Sequence, residues 1–129
     1  MSNARSAKEQ FLKDNMRPDE DYAGILLGDN GAADSHLCVS RIKVENSTFQ
    51  QVIDCAKKHG YRSASLRELG LIRVNLRSQE RFKSGVFWSC EQSASHAYDA
   101  WCQYFNYGIQ GTNGKYNKLS GVLVRSLEI

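Results

Sequence analysis

Proline is almost missing: Pro18 is the only one in 129 residues. That excludes collagen-like and proline-rich disordered classes, and a chain that is 41% hydrophobic and 24% charged has enough apolar side chain for one folded core. No apolar run approaches the roughly 18 residues of a membrane span. The first residues also lack the basic, apolar and small-residue order of a secretory leader, so export by the general route is not expected. Ser2-Asn3-Ala4 reads instead as an expression scar. Close cysteine pairs are absent too. Cys38, Cys55, Cys90 and Cys102 are too widely spaced for a C-x-x-C redox pair or a zinc knuckle, so isolated thiols are expected.

Recognisable catalytic patterns are equally scarce. His36, His59 and His96 are dispersed, and no nucleophile elbow is present. Ser89, Ser93 and Ser95 near His96 and Asp99 hint at a triad by composition only, and backbone-bonding turns explain them better. Glu91 and Asp99 have no visible desolvating partner for paired-carboxylate hydrolysis. Asp19-Glu20-Asp21 could attract a cation, yet it lacks the alternating ligands of a calcium loop. Gly28-Asp29-Asn30-Gly31 lacks the lysine of a phosphate loop and reads as a turn. No catalytic residue, metal or cofactor is expected.

Seventeen basic against fourteen acidic residues give a net charge of +3, too weak a field for an autonomous nucleic-acid binder. Lys57, Lys58, Arg62, Arg67, Arg73, Arg77, Arg81 and Lys83 read as solvated helix faces, with a weak patch facing an acidic partner or nucleic acid as the alternative. Residues 1–19 are a polar tail, or a frayed helix across Ala7 to Asn15, and residues 20–129 form the domain. Strands are expected over Tyr22 to Leu27 and His36 to Ile42, joined as a hairpin.

Two helices carry start signals. Thr48 with Gln51, and Ser65 with Glu68, are capping boxes. The first helix offers Phe49, Val52, Ile53 and Ala56 to the core and stops at Gly60; the second offers Leu66, Leu69, Ile72 and Leu76 despite Gly70. Beyond Gly85 the pattern turns to strands: Val86 to Trp88, Ala100 to Tyr107 and Val122 to Ile129. Alternation places Trp101, Gln103 and Phe105 on one face, expected to be core, and Cys102, Tyr104 and Asn106 on the other. Between the last two strands lies a polar loop. Tyr104, Asn106, Tyr107, Gln110, Thr112, Asn113, Tyr116 and Asn117 there have recognition-loop chemistry, with a plain solvated loop as the competing reading.

Trp88-Ser89-Cys90-Glu91, Ser65-Leu66-Arg67-Glu68, Ala100-Trp101, Phe105 to Gly108 and Val124-Arg125 stand in an order that resembles the DUF1566 family. That family is related to the C-terminal domain of the Legionella collagen-like adhesin and has phage and prophage members. The resemblance covers about residues 20 to 129. It implies an α+β, C-type-lectin-like fold: two helices packed on a curled antiparallel sheet with long polar loops. It also implies that Trp88 and Trp101 anchor the core, where alternation already places Phe105, and that Glu91 fixes the bend after Trp88 with Arg125 as charged partner. The segment Ala100 to Gly121 would expose the ligand contacts.

Ala64, Cys90, Ser120 and Val122 depart from the family pattern, and the last two remove an arginine that an anion or sugar role would use. The Glu-Pro-Asn, Gln-Pro-Asp and Trp-Asn-Asp signatures of calcium-dependent lectins are missing, so calcium is not expected. The reading that follows is a non-catalytic phage or prophage module that recognises a protein or a surface glycan. The alternative is an intracellular phage accessory protein that blocks a host protein. The setting would be the virion or the host cytoplasm, without nucleic acid or a membrane span, and homo-oligomerisation stays open.

Overall fold

The computed structural model describes residues 3–129; Ser2 of the expected scar lies outside the described residues. In chain order the elements are α1 (Asn3–Asn15), β1 (Glu20–Leu26), β2 (Ser35–Ser40), β3 (Val44–Ser47), α2 (Phe49–Lys58), β4 (Arg62–Ser63) and α3 (Leu66–Asn75). A 3-10 turn (Glu80–Phe82) then leads to β5 (Val86–Gln92), β6 (Asp99–Tyr104), β7 (Ile109–Gly114), β8 (Leu119–Gly121) and β9 (Leu123–Glu128). Among the described residues no helix is long and apolar enough to cross a membrane.

Local chemistry places α2 and α3. Thr48 Oγ1 accepts the Gln51 amide at 3.2 Å while Gln51 Oε1 accepts the Thr48 amide at 2.8 Å. Ser65 and Glu68 repeat the exchange at 3.1 and 2.9 Å. Each box satisfies two amides that have no partner within the helix. Phe49, Val52 and Ala56 of α2 are buried, as are Leu69 and Ile72 of α3 and Leu76 at its C-cap, whereas Ile53 and Leu66 are half-buried.

The strands form two sheets, in the orders β1-β2-β9-β4 and β3-β8-β5-β6-β7. The first is antiparallel throughout, and the second contains a parallel pair where Phe87 of β5 meets Ser120 of β8. This overturns the lectin-like expectation. The α+β class is retained, but three helices accompany two sheets, neither closed nor strongly curled, where two helices on one curled antiparallel sheet were expected.

The physical reason lies at Val122, where the chain leaves β8 in one sheet and enters β9 in the other. The Ala64 amide donates to Val122 O at 3.2 Å and Ala64 O accepts the Cys90 amide at 2.9 Å, so hydrogen bonding continues through the crossover. On one side of this junction a core gathers Leu37, Val39, Leu69, Ile72, Phe82, Phe87 and Phe105. On the other, α2 covers Trp88, Ala100, Cys102 and Leu123. Gly121 lets α2 approach, since a Cβ there would lie 2.5 Å from Val52 Cγ1.

The two tryptophans part company. Trp88 is fully buried, edge-to-face with Phe49 at 5.7 Å, and its indole donates to Ser47 O at 3.0 Å. Trp101 is only half-buried, so the expectation of a second interior wedge is corrected. Alternation sends Ala100 and Cys102 under α2. Phe105 and Gln103 on the opposite face are covered, whereas Trp101 lies beside exposed Thr112 across the strand pair.

Charge pairing also departs from expectation. Arg125 meets Glu20 rather than Glu91: its Nε and Nη2 donate to the two carboxylate oxygens at 2.5 and 2.8 Å. Tyr61 OH and the Arg17 amide donate to the same carboxylate at 2.9 and 2.8 Å. Asp21 is held by Arg41 and Arg81. The expected cation-attracting run Asp19-Glu20-Asp21 therefore has two of its three carboxylates neutralised from within. Burial by itself would raise the Glu20 carboxyl. The bonds from Arg125, the Arg17 amide and Tyr61, with the Arg125 charge, outweigh it and hold the group below the usual carboxylate range.

Replacing Trp88 by alanine is expected to cost about 3–5 kcal/mol in urea denaturation, against much less for Trp101→Ala. Arg125→Ala leaves the Glu20 charge buried and unpaired, and a loss of about 3–5 kcal/mol is expected. Because the folded Glu20 value is depressed, its contribution is complete above the unfolded value of about 4.3 and disappears as pH falls through the lower folded value. The stability gap between the parent and Glu20→Gln should therefore narrow from pH 7 to pH 3.

Candidate functional site

The segment expected to be a polar loop is mostly a strand. Ile-Gln-Gly-Thr-Asn-Gly forms β7, paired with β6 from Tyr104↔Ile109 to Asp99↔Gly114 without a register shift. A tight turn precedes it. Gly108 adopts φ 72°, a left-handed conformation that glycine accepts without a Cβ penalty, and its amide donates to Tyr104 O at 2.8 Å. A second turn follows, with the Lys115 amide on Tyr98 O and the Asn117 amide on Gly114 O.

This geometry divides the expected ligand residues. Asn113 Nδ2 donates to Tyr104 OH at 3.0 Å and to Cys102 Sγ at 3.2 Å, bracing β7 against β6. Gln110 Nε2 donates to Gln103 Oε1 at 3.1 Å, and Asn106 Oδ1 accepts the Gly85 amide at 2.9 Å. These contacts occupy polar groups that the sequence offers to a ligand. Tyr107 and Tyr116 stay 75% and 78% exposed, with Asn117 also exposed. A strand advances about 3.4 Å per residue, so the two tyrosines flank β7 at opposite ends and do not converge on one pocket. Glu91 is exposed and accepts the Leu66 amide at 2.7 Å, at the first turn of α3, which places its negative charge at the positive end of that helix.

What the residues border is an edge. β7 ends the five-stranded sheet, and its six residues are uncharged. The other described edges are blunted: β1 has an irregularity between Tyr22 and Gly24 and carries Glu20 and Asp21, β3 has its own register shift, and β4 is two residues long. Exposed Ile109 and Tyr98, the latter unremarked in the sequence, extend the apolar border of β7.

No catalytic constellation comes together among the described residues at the positions the sequence offered. His96 is exposed, with Nδ1 3.2 Å from Ser95 Oγ, and Asp99 reaches it only by a backbone bond to His96 O. His36 is buried against Tyr22 OH at 2.8 Å, and His59 turns onto Cys55 O. The four cysteines are free; burial pushes the Cys38 and Cys102 thiols up, away from reactive thiolate. No group of three or more metal-ligating side chains occurs among the described residues.

Three cavities border the 3-10 turn; one, about 390 Å³, is lined by Asp21, Arg41, Gln79 and Arg81, whose charges pair with one another, and two others flank the turn. The larger, about 570 Å³, has Phe87 and Val122 in its lining, and its charged residues are paired: Arg41 and Arg81 with Asp21, Lys43 with Glu45. The smaller, about 260 Å³, is lined by Arg73, Arg77, Phe82, Lys83, Phe105 and Asn106, with no acidic side chain. Its basic residues were visible in the sequence as part of a long series of lysines and arginines. Their convergence was not, because it needs the β6–β7 turn to meet the end of α3.

No family model matches the chain, and no curated protein matches it. Tyr107→Ala and Tyr116→Ala are expected to leave the melting temperature nearly unchanged, since both side chains are exposed, whereas Asn113→Ala should lower it by removing two bonds between β6 and β7.

Proposed function

We propose that the protein is a non-catalytic binding module that receives an extended segment of a partner protein along the edge of β7. The observation that carries this reading is the uninterrupted, uncharged outer edge of that strand. An edge strand presents unpaired amides and carbonyls at alternate residues, and an incoming strand satisfies them while side-chain contacts select it. Tyr107, Ile109 and Tyr116 supply such contacts, with large area at modest ordering cost. A surface glycan draws less support, because the exposed tyrosines are separated by the length of the strand and the nearby side-chain amides of Asn106, Gln110 and Asn113 each bond within the protein.

Within this reading, a phage or prophage origin rests on the motif resemblance alone. Four free thiols favour a reducing compartment, which suits a protein that blocks a host partner in the cytoplasm better than one mounted on a virion.

Selection of binders from a displayed library of random linear peptides, followed by amide hydrogen exchange of the complexes, tests the site. Protection of alternate β7 amides is expected on binding, with affinity lost in Thr112→Lys, a charge placed at the edge with its side chain exposed. Protection confined to other surfaces, or undiminished binding by a folded Thr112→Lys variant, overturns the reading. A concentration-dependent dimer with β7 protected in the absence of peptide would assign the edge to a second copy of the chain instead.

A further inference from the structure

The cavity behind the β6–β7 turn goes beyond strand pairing. We infer that the pocket formed by Arg73, Arg77, Lys83 and Asn106 is a binding site for a phosphomonoester dianion. The polar side-chain groups it can offer a ligand are donors. Arg73 comes from the last turn of α3 and Arg77 from just beyond its C-cap, while Lys83 follows the 3-10 turn. Arg73 Nε donates to Phe105 O at 2.9 Å, which holds the guanidinium by one nitrogen and leaves the Nη groups for a ligand. The turn closes tightly on that guanidinium: a Cβ on Gly108 would lie 2.8 Å from Arg73 Nη1.

Asn106 is oriented in a complementary way. Its Oδ1 accepts the Gly85 amide, so Nδ2 remains to donate. Arg77 makes no hydrogen bond or ion pair among the described residues. Lys83 Nζ lies 3.3 Å from Glu80, but that carboxylate is 91% exposed, lines the largest cavity, and gives a screened surface pair that a dianion outcompetes. Fully buried Phe82 and Phe105 lend the pocket a firm wall. Arginines offer paired donors that match phosphate oxygens, and three cations without a lining acid favour a dianion over a monocarboxylate.

Titration of the whole protein with inorganic phosphate, followed by amide and side-chain NMR shifts, tests the site, with acetate as comparator. Localised shifts at Arg73, Arg77, Lys83 and Asn106 are expected, with affinity falling about tenfold in Arg77→Ala and again in Lys83→Ala. Both side chains are exposed, so folding should be retained. Phosphoserine peptide and adenosine monophosphate form two further arms. The one that binds more tightly than phosphate names the source of the group, and its affinity should rise as pH passes about 6, where the dianion forms. Equal affinity for acetate, shifts spread evenly over Lys57, Lys58 and Arg67, or unchanged binding in the Arg77→Ala, Lys83→Ala double variant overturns the inference. Thr112→Lys should leave phosphate affinity intact, which separates failure of this site from failure of the β7 edge.

Discussion

The Glu20 carboxylate, with its side chain wholly removed from solvent, is the group around which the first sheet is organised. A buried charge is tolerable only when its lone pairs are filled, and here donors arrive from Arg125 in β9, Tyr61 before β4 and the Arg17 amide before β1. Segments from the start, middle and end of the domain are tied by one group. Glu68 makes a second such tie: Arg62 of β4 donates to both of its oxygens at 2.6 Å while Ser65 completes the cap of α3. Burial works against the Glu68 charge, and Arg62 and Ser65 outweigh it, keeping the carboxyl below its usual range. The orientation of β4 and α3 follows from the pair.

The second sheet ends in β7, and among the described residues no further strand pairs with its outer side. β7 is braced from the inside only, by its register with β6 and by Asn113 and Gln110. That arrangement separates the two tasks of the polar residues. Those pointing along the strand pair hold it flat, and those at the turns and outer edge remain available to a partner. The same turn that begins β7 also closes the basic pocket, so the edge and the anion site share the Asn106-Tyr107-Gly108 backbone without sharing their binding groups.

Ion pairing explains why the basic pocket stands out although the net charge is modest. Arg41, Arg62, Arg81 and Arg125 all face carboxylates that the fold itself supplies. Arg73 bonds a carbonyl instead, Arg77 bonds nothing among the described residues, and Lys83 meets only an exposed glutamate. Two arginines without a carboxylate partner therefore meet at this pocket, with Lys83 beside them.

Much of the fold was legible locally. Both capping boxes, the α2 and α3 stripes and the first hairpin follow from short-range spacing, because caps and helical faces depend on residues three or four apart, whereas the burial of Trp88 was implied only by the motif resemblance. The short strands β3, β4 and β8 were not legible. Two to four residues carry no period, and each exists because a distant strand offers it a register. The same limit explains Trp101: alternation names its face, but only the packing of α2 and α3 decides which part of that face is covered. Asn113, Gln110 and Asn106 have the composition of ligand residues, and only the tertiary pairing with β6 and Gly85 engages them in bonds within the protein. The chain by itself determined helix starts, turn positions and the chemical kinds of group present. Which carboxylates are consumed, which strand is left at an edge and which basic residues meet were decided by tertiary contacts, since each depends on partners tens of residues away.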